Sequence, residues 1–196
     1  MKEKPDMFHQ TLDQHIACFE ALKNLKGPIT EAGSLITRAL MAGKKILVCG
    51  NGGSASDAQH FAAEIVGRFT RERQAWPALA LTTDTSIITA VANDYGYAHV
   101  FARQVEGLGR PGDVLIGIST SGNSENIIRA MNQAITNGLK TIALTGNQGG
   151  ALAGKADAAI TIPSKVTARI QEAHIFILHL WADATEAALL AGEASP

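Results

Sequence analysis

The stretch Lys45–Phe69, KILVCG followed by NGGSASDAQHFAAEIVGRF, decides the fold of this 196-residue chain. An apolar run of strand length ends at Gly50, and two more glycines follow Asn51 before a helical pattern opens at Ser54. A strand that turns through glycines into a helix leaves free backbone N–H groups at the positive end of the helix dipole, where anions bind. The stretch therefore predicts a βα unit that binds an anionic group such as phosphate.

The predicted helix of this unit also carries a pair of residues suited to proton chemistry. His60 and Glu64 are spaced i, i+4, so both side chains lie on one helix face and can serve one ligand. Glu64 stands among apolar neighbours, as a general base in a partly apolar site would. The other catalytic candidates are Gln171 and His179, whereas four histidines are interpreted as ordinary polar or core residues: His9, His15, His99 and His174.

Strands alternate with helices along the rest of the chain. After the first strand, further strands are expected at Ala78–Thr83, Val114–Ser119, Lys140–Thr145 and Ala158–Pro163. Helices are expected at Asp84–Ala92 (with an interruption from Asn93), Val100–Leu108, Glu125–Asn137 and Thr167–Leu190. Because continuously apolar strands are covered on both faces, the pattern predicts an α/β fold, a three-layer αβα sandwich around a five-stranded parallel sheet.

The N-terminal residues 1–42 are expected to form a helical arm ahead of a single compact domain, residues 43–196. Apolar residues at helical spacing fill residues 6–42, and the pattern breaks at Lys26-Gly27-Pro28. The apolar stripe of this arm has to be buried either on its own domain or on a partner subunit.

Composition excludes several classes of function. The net charge is −1, from 17 Lys and Arg against 18 Asp and Glu, so a nucleic-acid partner is not expected. No window is apolar over the roughly 18 residues that a membrane span needs, and the charged start Met1–Pro5 does not resemble a signal peptide. Cys18 and Cys49 fit a reducing cytoplasm, and Cys49 is expected to be a buried small hydrophobe rather than a reactive thiol.

Three predicted strands end in loops rich in glycine, serine and asparagine: residues 51–54, 119–124 and 146–150. Ligands of open α/β sheets bind outside the carboxyl ends of the strands, so these loops are expected to converge on one crevice. The 119–124 loop has four hydroxyl side chains and could wrap a phosphate, although small polar residues are also common in ordinary tight turns. Neither G-x-G-x-x-G nor G-x-x-x-x-G-K-[ST] occurs, so dinucleotide and nucleoside triphosphate sites are not supported.

Four segments together resemble the phosphoheptose (sedoheptulose 7-phosphate) isomerases, a family of the sugar-isomerase (SIS) domain class. They are GNGGSASDAQHFAAE (50–64), ANDYGY (92–97), GDVLIGISTSGNS (112–124) and RIQEAHIFILH (169–179). The resemblance covers roughly residues 30–190 in order. It implies a five-stranded parallel sheet, a homotetramer and a zinc ion near the active centre.

By the same resemblance, specific residues take specific roles. Substrate would be bound by Asn51, Gly52, Gly53, Glu64, Asn93, Asp94, Ser119, Thr120, Ser121, Ser124 and Gln171, with the four hydroxyl residues holding its phosphate. The metal ligands would be His60, Glu64, Gln171 and His179, with Glu64 as the base and His179 as the acid. Many family members carry an acidic residue where this chain has Ala168, so no role of that acid transfers.

The implied reaction is the isomerisation of sedoheptulose 7-phosphate to D-glycero-D-manno-heptose 7-phosphate through an enediol(ate), for lipopolysaccharide or related glycans. One alternative is a non-catalytic SIS regulator of the kind that associates with the DnaA initiator, and another is an isomerase of a different sugar phosphate. The presence of both Glu64 and His179 favours the enzyme.

The spacing of two candidate ligands leads to a prediction about assembly. Gln171 and His179 are eight residues apart in one predicted helix, which is about 12 Å along the axis and about 80° around it. Zinc bonds of about 2.0–2.2 Å cannot easily join both. Either Gln171 lies in or before the first turn, or only one of the pair binds metal, or the two come from different subunits. The third explanation predicts active sites at subunit interfaces.

Overall fold

The computed structural model describes residues 6–193, with side chains described up to Ala191. The segment Met1–Pro5, on which the expectation about a signal peptide rests, lies outside the described residues. The helices are α1 Met7–Leu22, α2 Lys26–Met41, α3 Gly53–Val66, α4 Thr85–Tyr95, α5 Ala102–Leu108, α6 Glu125–Thr136, α7 Gly150–Ala153 and α8 Thr167–Glu193. The strands are β1 Ile46–Gly50, β2 Ala78–Ala80, β3 Val114–Ser119, β4 Lys140–Gly146 and β5 Ala158–Ile162.

The five strands form one parallel sheet in the order β2-β1-β3-β4-β5. Every residue of β1 and β3 is buried, as expected for strands covered by helices on both faces. The three-layer α/β architecture predicted from the sequence is therefore confirmed.

Alternate residues of β1 pack against the two helical layers on opposite faces of the sheet. Ile46 and Val48 pack with α2, α3 and α8, while Leu47 and Cys49 pack with α5 and α6 on the opposite face. Complete burial raises the pKa of the Cys49 thiol to about 12, so the thiol stays protonated and unreactive. The interpretation of Cys49 as a small hydrophobe is confirmed.

The N-terminal helices pack on the α8 side of the sheet. Cys18 and Leu22 of α1 and Ile36 of α2 are buried in the core shared with α8. The break between the two helices is a short 3-10 turn at Lys23–Leu25, not at Lys26-Gly27-Pro28 as predicted. Proline is tolerated in the first turn of α2 because N–H groups there have no partner within the helix. No helix within residues 6–193 combines the length and apolarity that crossing a membrane requires.

Two further element boundaries differ from the prediction. Helix α4 continues through Asn93 and Asp94 to Tyr95 and ends at Gly96, whose φ of 86° a non-glycine residue rarely adopts. Strand β2 ends at Ala80 rather than Thr83, because this edge strand pairs with β1 over only three residues.

The strand order creates a crevice between β1 and β3. After β1 the chain crosses to β2 on one side, and after β3 it crosses to β4 on the other side. Ligands of open α/β sheets bind at such a reversal, outside the carboxyl ends of the strands. The loops after β1 and β3 flank this crevice, as the sequence predicts.

Candidate active site

The turn from β1 into α3 depends on glycine. Gly52 precedes α3 with a φ of 56° and provides no side-chain cap. A Cβ at Gly53 would overlap the amide group of Gln171, so glycine lets α8 approach the first residue of α3. The start of α3 therefore lies open beside Gln171, without a side chain of its own in the way.

The loop between β3 and α6 gathers three hydroxyl groups. The Oγ atom of Ser119 lies 2.9 Å from that of Ser124 and 3.4 Å from that of Ser121. Ser124 precedes α6 but makes no side-chain cap hydrogen bond to it. Thr120, between the first two serines, is half-buried. These hydroxyl groups and the N-terminus of α6 form an arrangement suited to an oxyanion such as phosphate.

The third glycine-rich loop, residues 146–150, supports the hydroxyl loop. Gly122 has a φ of 67°, and a Cβ there would overlap the backbone of Gly149. The backbone N–H of Ala151 donates to Oδ1 of Asn123 at 3.0 Å. This loop therefore contacts the candidate phosphate loop and stabilises its conformation.

A pair of asparagines connects the β1 loop to α6 across the crevice. Asn51 Nδ2 donates to Asn126 Oδ1, and Asn126 Nδ2 donates to Asn51 Oδ1, both at 2.9 Å. The Tyr97 hydroxyl also donates to Asn51 Oδ1, at 3.2 Å. Asn93 and Asp94, at the end of α4, are exposed and bonded to each other at 2.8 Å. The sequence interpretation missed Asn126, whose position directly after STSGNSE was the only signal available.

The central feature of the site is a group formed by His60, Glu64 and His179. The two histidine Nε2 atoms lie 2.8 Å apart, and Oε1 of Glu64 lies 3.2 Å from Nε2 of His60. One ligand atom from each residue lies within 4.8 Å of the others. Tetrahedral zinc ligands lie about 3.4 Å from one another, and imidazole with carboxylate is a common zinc donor set. The three residues could therefore hold a metal ion, and their donor set is one that zinc accepts.

The structure separates the fourth candidate ligand from His179. Gln171 lies against Gly53 at the start of α3, whereas His179 joins His60 and Glu64 further along the same helix. These three residues belong to one chain. Helix α8 begins at Thr167, so Gln171 is its fifth residue and lies beyond the first turn, contrary to the first of the three explanations for the eight-residue spacing.

Asp57 is a further titratable residue near this group that the sequence interpretation missed. Burial raises the pKa of Asp57 to about 6, although His60 opposes this shift. Its Oδ2 atom is buried and has no hydrogen-bond partner among the described residues. The available signal was its position three residues before His60, on the same helix face.

Three of the remaining histidines have partners within the chain, and His9 Nδ1 pairs with Oδ2 of Asp6. His174 is fully buried, and its Nε2 donates to the carbonyl of Thr145 at 3.0 Å. Burial lowers the pKa of His174 to about 4, so this residue stays neutral near pH 7. Nδ1 of His15 lies 2.8 Å from Oε2 of Glu172.

Comparison with known proteins places this arrangement in a family. A family model described as "SIS domain" matches residues 12–146. A phosphoheptose isomerase of Akkermansia muciniphila is 53% identical over 174 residues, covering 89% of this chain and 92% of that protein.

Two solved structures have the same fold over nearly the whole chain. Phosphoheptose isomerase GmhA from Neisseria gonorrhoeae has a TM-score of 0.88 at 46% identity, covering 92% of this chain and 97% of that chain. A phosphoheptose isomerase from Francisella tularensis has a TM-score of 0.89 at 40% identity, covering 92% and 96%. With the site geometry, these similarities show that the chain belongs to the phosphoheptose isomerase family of SIS-domain proteins.

Proposed function

We propose that this protein is an aldose–ketose isomerase that converts D-sedoheptulose 7-phosphate to D-glycero-D-manno-heptose 7-phosphate through an enediol(ate). The observation that carries this proposal is the group of His60, Glu64 and His179, on and beside the helix that follows β1. It combines a carboxylate and two imidazoles with a crevice whose other wall is the hydroxyl loop after β3. The product would supply heptose for lipopolysaccharide or related glycans.

The substrate is held at both ends of the crevice. The hydroxyl groups of Ser119, Thr120, Ser121 and Ser124, with the N-terminus of α6, bind the phosphate. The sugar is contacted by Asn51, Gly52, Gly53, Asn93, Asp94 and Gln171. The clustering of the three serine hydroxyls and the open start of α3 beside Gln171 support this assignment.

Two side chains move protons in the proposed reaction. Glu64 removes a proton from C1 of the open-chain ketose, and the electron pair passes into an enediol(ate). His179 transfers a proton between O1 and O2, and protonation of C2 completes the aldose. The short distances from His60 to both Glu64 and His179 support a shared reaction centre.

A zinc ion bound by His60, Glu64 and His179, with Gln171 as a further ligand, belongs to the proposal. When bound, zinc would stabilise negative charge on the substrate oxygens as a Lewis acid. Because a metal-bound carboxylate is a weaker base, ligand and base are alternating roles of Glu64. Glutamine is a weak zinc ligand, so Gln171 would be the weakest of the four donors.

We also propose a cytoplasmic homotetramer in which residues 1–42 form an arm of the 43–196 domain and the active sites lie near subunit interfaces. Exposed apolar residues on α1 and α8 support assembly: Phe8, Leu12, Ile16, Phe176 and Leu180. The two buried, unpaired cysteines are consistent with a reducing compartment.

Two alternative functions make different predictions for the same site. A non-catalytic regulator of the kind that associates with the DnaA initiator needs no catalytic base. In this chain, by contrast, the Glu64 carboxylate lies within hydrogen-bonding distance of His60. An isomerase of another sugar phosphate would use the same base and phosphate loop but prefer a shorter sugar.

The decisive experiment incubates the protein with sedoheptulose 7-phosphate in deuterated water and follows the reaction by NMR. We expect an aldose product with deuterium at C2, because the proton taken from C1 exchanges with solvent. Glu64→Gln removes the proton acceptor but keeps the shape, so turnover should fall by about 10²–10⁴-fold with an unchanged circular dichroism spectrum. Absence of both aldose and deuterium incorporation would exclude the enzyme, and faster turnover of a pentulose or hexulose phosphate would reassign the substrate.

A further inference from the structure

Glu186 is a buried acid outside the proposed chemistry. Its side chain is fully buried on α8, and it accepts three backbone hydrogen bonds from the α3–β2 connection (residues 67–77). The N–H groups of Phe69, Thr70 and Arg71 donate to its two carboxylate oxygens at 2.6, 3.0 and 3.0 Å. One side chain therefore fixes three consecutive backbone groups of this connection.

A buried arginine extends the same contact to the end of α3. Arg73 Nε donates to Glu186 Oε1 at 3.1 Å, and Arg73 Nη2 donates to the carbonyl oxygen of Glu64 at 2.8 Å. The guanidinium also lies 3.8 Å from the ring centroid of Trp76. The arginine side chain is only 1% exposed. Glu186 is therefore linked through one residue to the backbone of the proposed base.

The position of Glu186 on α8 relates it to His179. The two residues are seven positions apart, which is about two helical turns and nearly the same face. The Phe69 ring, carried by the connection that Glu186 holds, lies with its centroid 5.5 Å from that of the His179 ring. The ring of His179 thus packs between His60 on one side and Phe69 on another.

We propose that Glu186 is a positioning residue for His179. By fixing the backbone of Phe69–Arg71, Glu186 places the Phe69 ring against the His179 imidazole. This contact restricts the orientation of the imidazole toward His60 and Glu64. Through Arg73 the same carboxylate ties the end of α3 to α8. The importance of this orientation for catalysis rests on the proposed function, but the placement of the ring does not. Residues that orient metal-ligating histidines typically change metal affinity by about 10–100-fold when replaced.

The chain offers a control matched to Glu186. Asp183 lies on the same helix, one turn earlier, and pairs with the same connection through Arg71 Nη1 at 2.9 Å. Both partners of this pair are about half exposed, at 44% and 48%, so the pair contributes little to structure. Asp183→Asn therefore removes one carboxylate charge and one link to residues 67–77 without touching the backbone contacts of Glu186.

The experiment compares Glu186→Gln, Phe69→Leu and Asp183→Asn with the wild type. In metal-free protein, NMR measures the nuclear Overhauser effects and ring-current shift between Phe69 and the His179 ring, which we expect Glu186→Gln to weaken. Competition with a chromophoric chelator measures zinc affinity, which we expect to fall about 10-fold in Glu186→Gln and in Phe69→Leu. In the isomerase assay, kcat should fall while KM stays nearly constant, and Asp183→Asn should resemble the wild type throughout.

The outcomes separate this proposal from the proposed function. If the wild type does not isomerise the sugar, the NMR and zinc measurements still test the placement of His179. If Glu186→Gln does not fold, Glu186→Asp replaces it, because the shorter acid keeps the charge but withdraws from the three N–H groups. Unchanged Phe69–His179 contacts, or a zinc affinity in folded variants equal to that of Asp183→Asn, would overturn the proposal.

Discussion

At the scale of single residues, the short distance between two imidazoles restricts which hydrogens or ions can lie between them. Nε2 of His60 and Nε2 of His179 lie 2.8 Å apart, so both nitrogens cannot carry a hydrogen toward the other. Either one nitrogen donates its N–H to the lone pair of the other, or both lone pairs bind one metal cation. Glu64 Oε1 lies 3.2 Å from His60 Nε2, so its carboxylate is placed to contribute a third donor to such a cation.

Removal of metal distinguishes these two states. We expect the purified protein to bind about one zinc ion per chain and His60→Ala to bind it at least about 10-fold more weakly, since one of three strong donors is lost. Chelation should abolish turnover, and added zinc should restore it. His9→Ala, which changes an exposed histidine on α1, serves as the control. Full turnover in a protein shown by elemental analysis to be free of metal would remove zinc from the mechanism.

At the scale of secondary-structure elements, α8 contacts α3 at two places and the connection after α3 at a third. Gln171 contacts the start of α3, His179 contacts its middle, and Glu186 contacts the connection that follows it. The spacing of seven residues keeps His179 and Glu186 near one face of the helix, and Gln171 lies about 80° from His179 around the axis. A shift of α8 along its axis would therefore disturb all three contacts together.

The acid stability of the protein should depend on Glu186. Burial raises the pKa of this carboxyl, but the N–H groups of Thr70, Phe69 and Arg71 and the charge of Arg73 outweigh it and lower the pKa from 4.5 to about 2. A lowered native pKa stabilises the fold above pH 4.5, and this stabilisation is lost as the pH falls toward 2. The loss can reach about 1.4 kcal/mol per pH unit.

Urea unfolding followed by circular dichroism at pH 7, 5 and 3 measures this effect. The difference in unfolding free energy between wild type and Glu186→Gln should be largest at pH 7 and should narrow at pH 3. The unfolding free energy of Asp183→Asn should change with pH in the same way as that of the wild type. A difference that stays constant from pH 7 to pH 3 would contradict the assigned pKa.

The sequence predicted those elements whose signal is local. Continuous apolar runs located β1 and β3, and the glycines after β1 located the start of α3 within one residue. The prediction ended α4 at Ala92 instead of Tyr95, because Asn93 and Asp94 are weak helix formers that are nevertheless accommodated in its last turn.

The candidate site was predictable to the same extent. His60 and Glu64 follow from their spacing on one helix, whereas the role of His179 as acid and metal ligand follows only from the resemblance to a family. Glu186 had no local signal, since its partner Phe69 lies 117 residues earlier in the chain. Contacts of this kind depend on how α8 packs beside α3, which periodicity along a single segment does not specify.

At the scale of the whole molecule, apolar side chains remain exposed along α1 and α8. Phe176 and Leu180 of α8 are each 43% exposed and line a groove of about 380 Å³ with Phe19, Leu22 and Ile29. Phe8, Leu12 and Ile16 extend this apolar surface along α1. A continuous surface of this kind is typical of protein–protein interfaces, and a second copy of the chain is the partner that the proposed homotetramer supplies.

Assembly through this surface is tested by placing a charge in it. We expect the wild type to be a tetramer by size-exclusion chromatography with light scattering, and Phe176→Glu with Leu180→Glu to shift it to smaller species. A buried unpaired carboxylate opposes association, whereas Ile135→Glu on α6, at a position 50% exposed on the other face, should leave the tetramer intact. If the active sites lie near subunit interfaces, turnover per chain should fall on dilution in step with dissociation. A wild type that is monomeric at micromolar concentration, or a monomeric variant with full turnover, would show that one chain contains the whole site.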